Sequence, residues 1–222
     1  MDLFYADILS FLDDLKSNNN REWFNENRDR YQKVRDNFLL IVEHLIASLS
    51  SFDNTLVSVE AKDCVFRIFR DVRFSHDKSP YKTNMGAYIS KGGRKGVHAG
   101  YYFHLEPNAS FISGGIYHAP TSVLRNVRED IDYYSHDFLA IVENPSFAKT
   151  FPTLGDDKLK RIPTGFSAES PVSEYLKLKS ITPMHALSDE RVMSNNFLDY
   201  AVPIYRQMQP LIAFINRAID AE

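Results

Sequence analysis

The sequence predicts an α+β fold: an antiparallel sheet from the middle of the chain, packed against N-terminal and C-terminal helices. Apolar residues recur at helical spacing near both ends of the chain. Between Leu56 and His118 the pattern changes to short alternating runs divided by turn-forming Gly, Pro and Asn residues. The bulk composition is that of a globular chain, with 222 residues, 44% apolar and 25% charged. That length fits a single domain covering residues 1–222.

The elements follow in order. Asp2–Lys16 places Tyr5, Ile8, Leu9, Leu12 and Leu15 on one helical face, and the run "SNNN" (Ser17–Asn20) breaks it. Asn20 is a fitting N-cap for the next helix, Arg21–Ser50, whose stripe includes Val34, Phe38, Ile41, Leu45 and Leu49. Trp23 and Phe24 follow that cap and anchor the helix in the core. "LVSVEA" (56–61) is short and β-prone. "NMGAYIS", "GVHAGYYFHLEP" and "FISGGIYH" read as strands joined by the turns "KGGRKG" and "EPNAS", which gives a sheet of about four or five strands. In "YYFHLE", alternation puts Tyr101, Phe103 and Leu105 on one face and Tyr102, His104 and Glu106 on the other. Pro120 suits the first turn of a helix that continues through Ile131, and Phe138–Val142 forms a second piece. "SPVSEYLKLK" reads as a short helix with Pro171 at its start. "SITPMHALS" reads as an edge strand, since Pro183 cannot donate to a ladder. A last helix runs from about Ser194 to Asp220, with Pro203 and Pro210 marking a start or kinks.

The charge pattern narrows the function. The chain carries a formal net charge of −3, yet residues 60–100 hold nine Lys/Arg against four acids. A basic patch on an acidic body points to a confined anion site and away from a broad polyanion-binding face. There is one cysteine, so no internal disulfide forms, in keeping with a reducing, cytoplasmic setting. The N-terminal stretch has an aspartate where a signal peptide would carry a base, and unbroken apolar runs such as Phe38–Val42 are far too short to span a membrane. No cofactor fingerprint is present, neither Gly-Gly pair belongs to a phosphate-binding or dinucleotide motif, and neither HExxH nor paired CxxC occurs.

The densest charge lies in "RIFRDVRFSHDKSPYKT" (67–83). Two readings of Val65–Val72 compete. A strand would scatter the arginines over both faces. A short helix, the preferred reading, gathers Val65, Phe66, Ile68, Phe69 and Val72 on one side and Arg67, Arg70 and Asp71 on the other. After Phe74 the chain loops, and Lys78, Tyr81 and Lys82 fold back toward Arg67, Arg70 and Arg73. Guanidinium forks and ammonium groups together suit phosphate or carboxylate. Asp71 and Asp77 either orient the arginines or serve as acid/base carboxylates for a phosphate-directed hydrolase or transferase. The plainer reading is a structural ion-pair network. A third is a module that binds nucleic acid or protein, disfavoured for nucleic acid by the net negative charge.

This stretch resembles the signature of a conserved-hypothetical family of unknown function, with chains of about this length. "NNNREWFNENRDRY", "GYYFHLEP" followed by "SFISGGIY", and "LKRIPTGF" with a downstream "LKLKS" resemble the same family in the same order. His76 and Ser79 depart from the Lys and Thr expected there. The resemblance implies one α+β domain and adds no reaction, cofactor or partner.

Other candidates stand beside the patch. His104 and Glu106 share a sheet face, as an acid/base pair or as solvated polar positions. His98 and His104 sit on one face, roughly 20 Å apart along a strand, too far to share an ion. Gly114–Gly115 marks a bulge or a close ligand approach. Lys160 and Arg161 of "LKRIPTGF" offer a second basic wall for the same pocket. Cys64, beside Val65 and Phe66, reads as a buried thiol.

Overall fold

A computed structural model describes residues 4–221; Asp2 and Leu3 of the first predicted helix lie outside them. The first apolar stripe forms α1 (Tyr5–Ser17), with Ile8, Phe11, Leu12 and Leu15 wholly buried. The asparagine run ends it. Asn20 then caps α2 (Arg21–Glu26), its Oδ1 accepting the Trp23 N–H at 3.0 Å. The helix expected over Arg21–Ser50 is two helices, because α3 (Arg28–Ser50) begins after a break at Asn27. The Asn27 side chain donates to the Trp23 carbonyl at 2.9 Å and so competes with the helical ladder there.

Two expectations for the next segment are corrected. "LVSVEA" is no strand: Asp53 accepts both the N–H and the hydroxyl of Thr55, which starts a 3₁₀ turn over Asn54–Leu56, and the one-turn α4 (Ala61–Cys64) follows. Val65–Val72 is no helix. It is an extended arm that pairs antiparallel with the chain before and within the first strand. Val65 bridges Ala87, Phe69 bridges Tyr81, and the Phe66, Arg70 and Lys82 N–H groups donate to Gly86, Pro80 and Ile68. Helical spacing would have sent Phe66 and Phe69 into one stripe. Instead Phe69 joins Phe24 and Tyr81, which stack at 3.9 Å, while Phe66 turns toward Tyr102.

The sheet has four antiparallel strands in the order of the chain: β1 (Met85–Ser90), β2 (Gly100–Leu105), β3 (Phe111–Gly115) and β4 (Met184–Ala186). Pro183 sits just before the edge strand β4, where no donor is missed. Register pairs Tyr88 with Tyr102 and Tyr102 with Ser113, so these three share one row of one face. The opposite face, with Tyr101, Phe103 and Leu105, is wholly buried.

The remaining helices are α5 (Thr121–Tyr133), α6 (Ser135–Val142), α7 (Pro145–Thr150), α8 (Ser173–Leu176), α9 (Asp189–Val192) and α10 (Phe197–Asp220). Pro120 and Val172 occupy the N-cap positions of α5 and α8, so Pro120 and Pro171 stand just outside the first turns expected for them. The short α7 and α9 were not expected; Asn144 and Ser188 cap them. Pro203 and Pro210 lie inside α10. Helices α3 and α10 cover the buried sheet face: Phe38 stacks on Phe103 at 5.9 Å, and Tyr205 donates its hydroxyl to the Tyr102 carbonyl at 2.9 Å. A contiguous cluster of buried residues runs from Tyr5 to Ile219. Among the described residues no helix is long and apolar enough to cross a membrane.

Candidate functional site

The helices cover one sheet face and leave the other to a cavity of about 710 Å³. Its floor is the Tyr88, Tyr102 and His104 face of β1 and β2, its near wall is Phe66 with Lys82, and its far wall comes from the β1–β2 loop and the segment after β3. Lys82, Arg94 and Lys95 line it, together with His98, His104 and His118, and among the described residues no Asp or Glu does.

The charged loop behaves differently. Arg70 pairs with Asp77, and Arg73 grips Asp71 with Nε at 2.9 Å and Nη2 at 2.7 Å. Lys78 donates to the Val72 carbonyl at 3.1 Å. Ser79 gives both its N–H and its hydroxyl to Asp77, and with Arg70 these bonds hold the Asp77 carboxyl down at about 2. Arg73 likewise lowers Asp71. Both carboxylates therefore stay ionised and engaged at neutral pH, which suits orienting the arginines better than donating protons. Tyr81 is buried on Phe24, and its backbone is clamped by Asn19, which accepts from the Tyr81 N–H at 3.1 Å and donates to its carbonyl at 3.0 Å.

Lys82 links the two regions. It is half-buried and lies 5.4 Å from the Phe66 ring centroid, and burial followed by the nearby Arg67 lowers its pKa. Neither Lys82 nor Arg67 makes an ion pair among the described residues. The structure thus divides the sequence-predicted basic cluster. Arg70, Arg73 and Lys78 are answered within their own loop, whereas Lys82 stands at the cavity and Arg67, within electrostatic reach of it, does not line the cavity.

On the cavity floor the side chains form a hydrogen-bonded row. The Tyr102 hydroxyl is 2.9 Å from His104 Nδ1, His104 Nε2 is 3.1 Å from Glu106, and Thr83 donates to the other Glu106 oxygen at 2.8 Å. A carboxylate takes the Nε2–H, so Nδ1 is left as acceptor for the phenol. Burial, with a smaller push from Lys82 and against the pull of Glu106, lowers the His104 pKa and keeps the ring neutral. Burial and the Glu106 charge push Tyr102 up to about 12, so it keeps its proton. Phe111 stacks on His104 at 4.5 Å and fixes the ring plane. Gly86 of β1 leaves room for the phenol there: a Cβ would lie 2.6 Å from Tyr102 Oη.

Gly115 does make a close approach, to the chain's own backbone and not to a ligand. It holds φ at +103°, and a Cβ would lie 2.0 Å from the Ile181 carbonyl oxygen. Its own carbonyl accepts the Tyr88 hydroxyl at 2.8 Å. His98 is held by Asp220 at 2.9 Å, which ties the end of α10 to the cavity wall. Lys160 and Arg161 are exposed and do not line the cavity; their segment pairs with Lys177 and Leu178. Burial pushes the Cys64 thiol up to about 11. Among the described residues no group of three His, Cys, Asp or Glu is placed to hold a metal ion.

Arg94 and Lys95 have no motif around them in the linear sequence, where they belong to a turn. Only the pairing of β1 with β2, which folds that turn over the small residues Ser90 and Gly100, reveals them as cavity cations. Tyr102 was legible from strand alternation, but its bond to His104 depends on rotamers.

A family model described as "Conserved hypothetical protein (DUF2461)" matches residues 7–214. No curated protein and no solved structure matches the chain. With nearly its whole length covered by that model, the chain belongs to the DUF2461 family of conserved hypothetical proteins.

Proposed function

We propose that this chain acts as one cytoplasmic domain that binds a small phosphorylated or carboxylated ligand in the cavity on the open face of its sheet. The single observation that carries the reading is a charge imbalance: three cations line the cavity, no carboxylate lines it, and none of the three is ion-paired with a carboxylate among the described residues. Lys82 and Arg94 are partly withdrawn from water and Lys95 is exposed, and cations so placed without an ion-pair partner favour an anion that enters from solution. The loop once expected to be the pocket supplies a contrast, since its arginines are already satisfied by Asp71 and Asp77. The cavity volume and its ring-rich walls suit a small molecule better than a polymer. The lone buried cysteine agrees with a reducing compartment, and the buried cluster that runs from α1 to α10 supports one domain.

Thermal unfolding in the presence of inorganic phosphate, at matched ionic strength, tests this reading. Phosphate raises the Tm of the wild type and of Arg73→Ala, and the rise is lost in Lys82→Met and Arg94→Met. No rise at all, or a rise that both cavity variants retain, overturns it.

A further inference from the structure

The cavity has a direction, set by strand register. On the open face the sheet presents three successive rows. Gly86, His104 and Phe111 form the first, Tyr88, Tyr102 and Ser113 the second, and Ser90, Gly100 and Gly115 the third. The first and third rows are four residues apart along each strand, roughly 13 Å at the usual strand rise.

The cations are split between the two ends. Lys82 precedes β1 and stands beside the first row, close to Phe66 and within electrostatic reach of His104 and Arg67. Arg94 and Lys95 follow β1, in the turn that joins Ser90 to Gly100 of the third row, where side chains are small. Arg94 is anchored at that end, donating to the Asp63 carbonyl at 3.0 Å. The space between is walled by rings: Tyr88 and Tyr102 from below, Phe66 and Tyr117 at the mouth. Phe66 and Tyr117 are 37% and 70% exposed, so the ring surface at the mouth is free to meet a ligand. The middle row has no charge of its own.

We infer that the ligand of this cavity carries an anionic group at each end of a flat, ring-bearing middle, as an extended aromatic dicarboxylate does. This rests on the anion reading above and adds to it. One anion sits at Lys82, the other at Arg94 and Lys95, and the ring lies over Tyr88 and Tyr102 between Phe66 and Tyr117. Two contacts made by one molecule reinforce each other, because the second forms at a high effective concentration once the first is made. A ring face adds contact area that an aliphatic chain lacks.

Isothermal titration with four probes tests it: inorganic phosphate, 2-naphthoate, naphthalene-2,6-dicarboxylate and the ring-free dicarboxylate suberate. The naphthalene dicarboxylate binds at least roughly tenfold more tightly than naphthoate, and suberate binds more weakly than the naphthalene dicarboxylate. Lys82→Met and Arg94→Met each reduce the naphthalene dicarboxylate to the affinity of naphthoate, while unchanged thermal unfolding without ligand shows that both variants fold. A naphthalene dicarboxylate no tighter than naphthoate, with phosphate binding still sensitive to Lys82 and Arg94, overturns the two-ended ligand and leaves the anion site standing. Equal affinity for suberate overturns the ring-bearing middle. Failure of every probe to bind overturns both the inference and the reading beneath it.

Discussion

The phenolic oxygen of Tyr102 stands 2.9 Å from Nδ1 of His104, two positions along the same face of β2. With Glu106 on the other ring nitrogen, the imidazole is oriented from both sides and has one tautomer available. The neutral imidazole thus accepts from the phenol and donates to the carboxylate, at the floor of a cavity lined by cations.

The first prediction concerns that tautomer. At neutral pH His104 is uncharged with its proton on Nε2, and it titrates below the ordinary imidazole value of about 6.5. Ring-nitrogen chemical shifts across a pH series measure this directly. In Tyr102→Phe the Nδ1 shift moves and stability falls by about 1 kcal/mol, as for a lost hydrogen bond whose partner keeps some access to water. A His104 that titrates at or above the ordinary value contradicts the assignment.

Stability should fall in two steps as the solution is acidified. His104 has a lower pKa folded than unfolded, so its contribution is complete above about pH 6.5 and declines as the unfolded chain takes up the proton first. Asp77, held at about 2, contributes fully above the unfolded value of about 3.9 and loses that contribution as pH drops toward its folded value. Denaturant midpoints across this range measure both. His104→Gln flattens the upper step and Asp77→Asn the lower one. Identical profiles for wild type and Asp77→Asn would show that the Arg70 pair contributes nothing.

Asn19 holds the basic arm in place through two bonds to the backbone of Tyr81. Asn19→Ala leaves a partly buried N–H and carbonyl without those partners and should cost about 1–3 kcal/mol, measured by equilibrium unfolding. Because Lys82 follows Tyr81 directly, the same variant should weaken phosphate binding without touching the cavity. A stable variant with intact binding would show the arm to be fixed by its ring cluster alone.

Phe38 tests the core beneath the site. It is wholly buried and stacks on Phe103 of β2. Phe38→Ala should destabilise the protein by about 3–5 kcal/mol, read from denaturant unfolding. A loss below about 1 kcal/mol would mean that α3 does not support the sheet in this way.

What the linear sequence revealed and what it hid divide along physical lines. Helix stripes such as Val34–Leu49 and the alternation of Tyr101–Glu106 were legible because one face of each element is buried and the other is not. Val65–Val72 was misread because its apolar residues satisfy a helical stripe, yet its backbone finds partners in Pro80–Ala87, which only the folded chain brings alongside. The basic arm was rightly singled out as charged. Spacing alone did not show that Asp71 and Asp77 would answer Arg73 and Arg70 while Lys82 went unanswered. That depends on how a short loop closes, and side-chain reach within a loop has no periodicity to read. Arg94 and Lys95 were hidden for the related reason that a turn's side chains gain their neighbours from the strands it joins.

The central claim is that the anion site lies on the open sheet face and not in the charged loop. A crystal structure grown in sulfate tests it most directly. The account predicts an anion against Lys82 or against Arg94 and Lys95, with the Arg70–Asp77 and Arg73–Asp71 pairs intact. Sulfate seated among Arg70, Arg73 and Lys78 with those pairs broken, and none in the cavity, would contradict it.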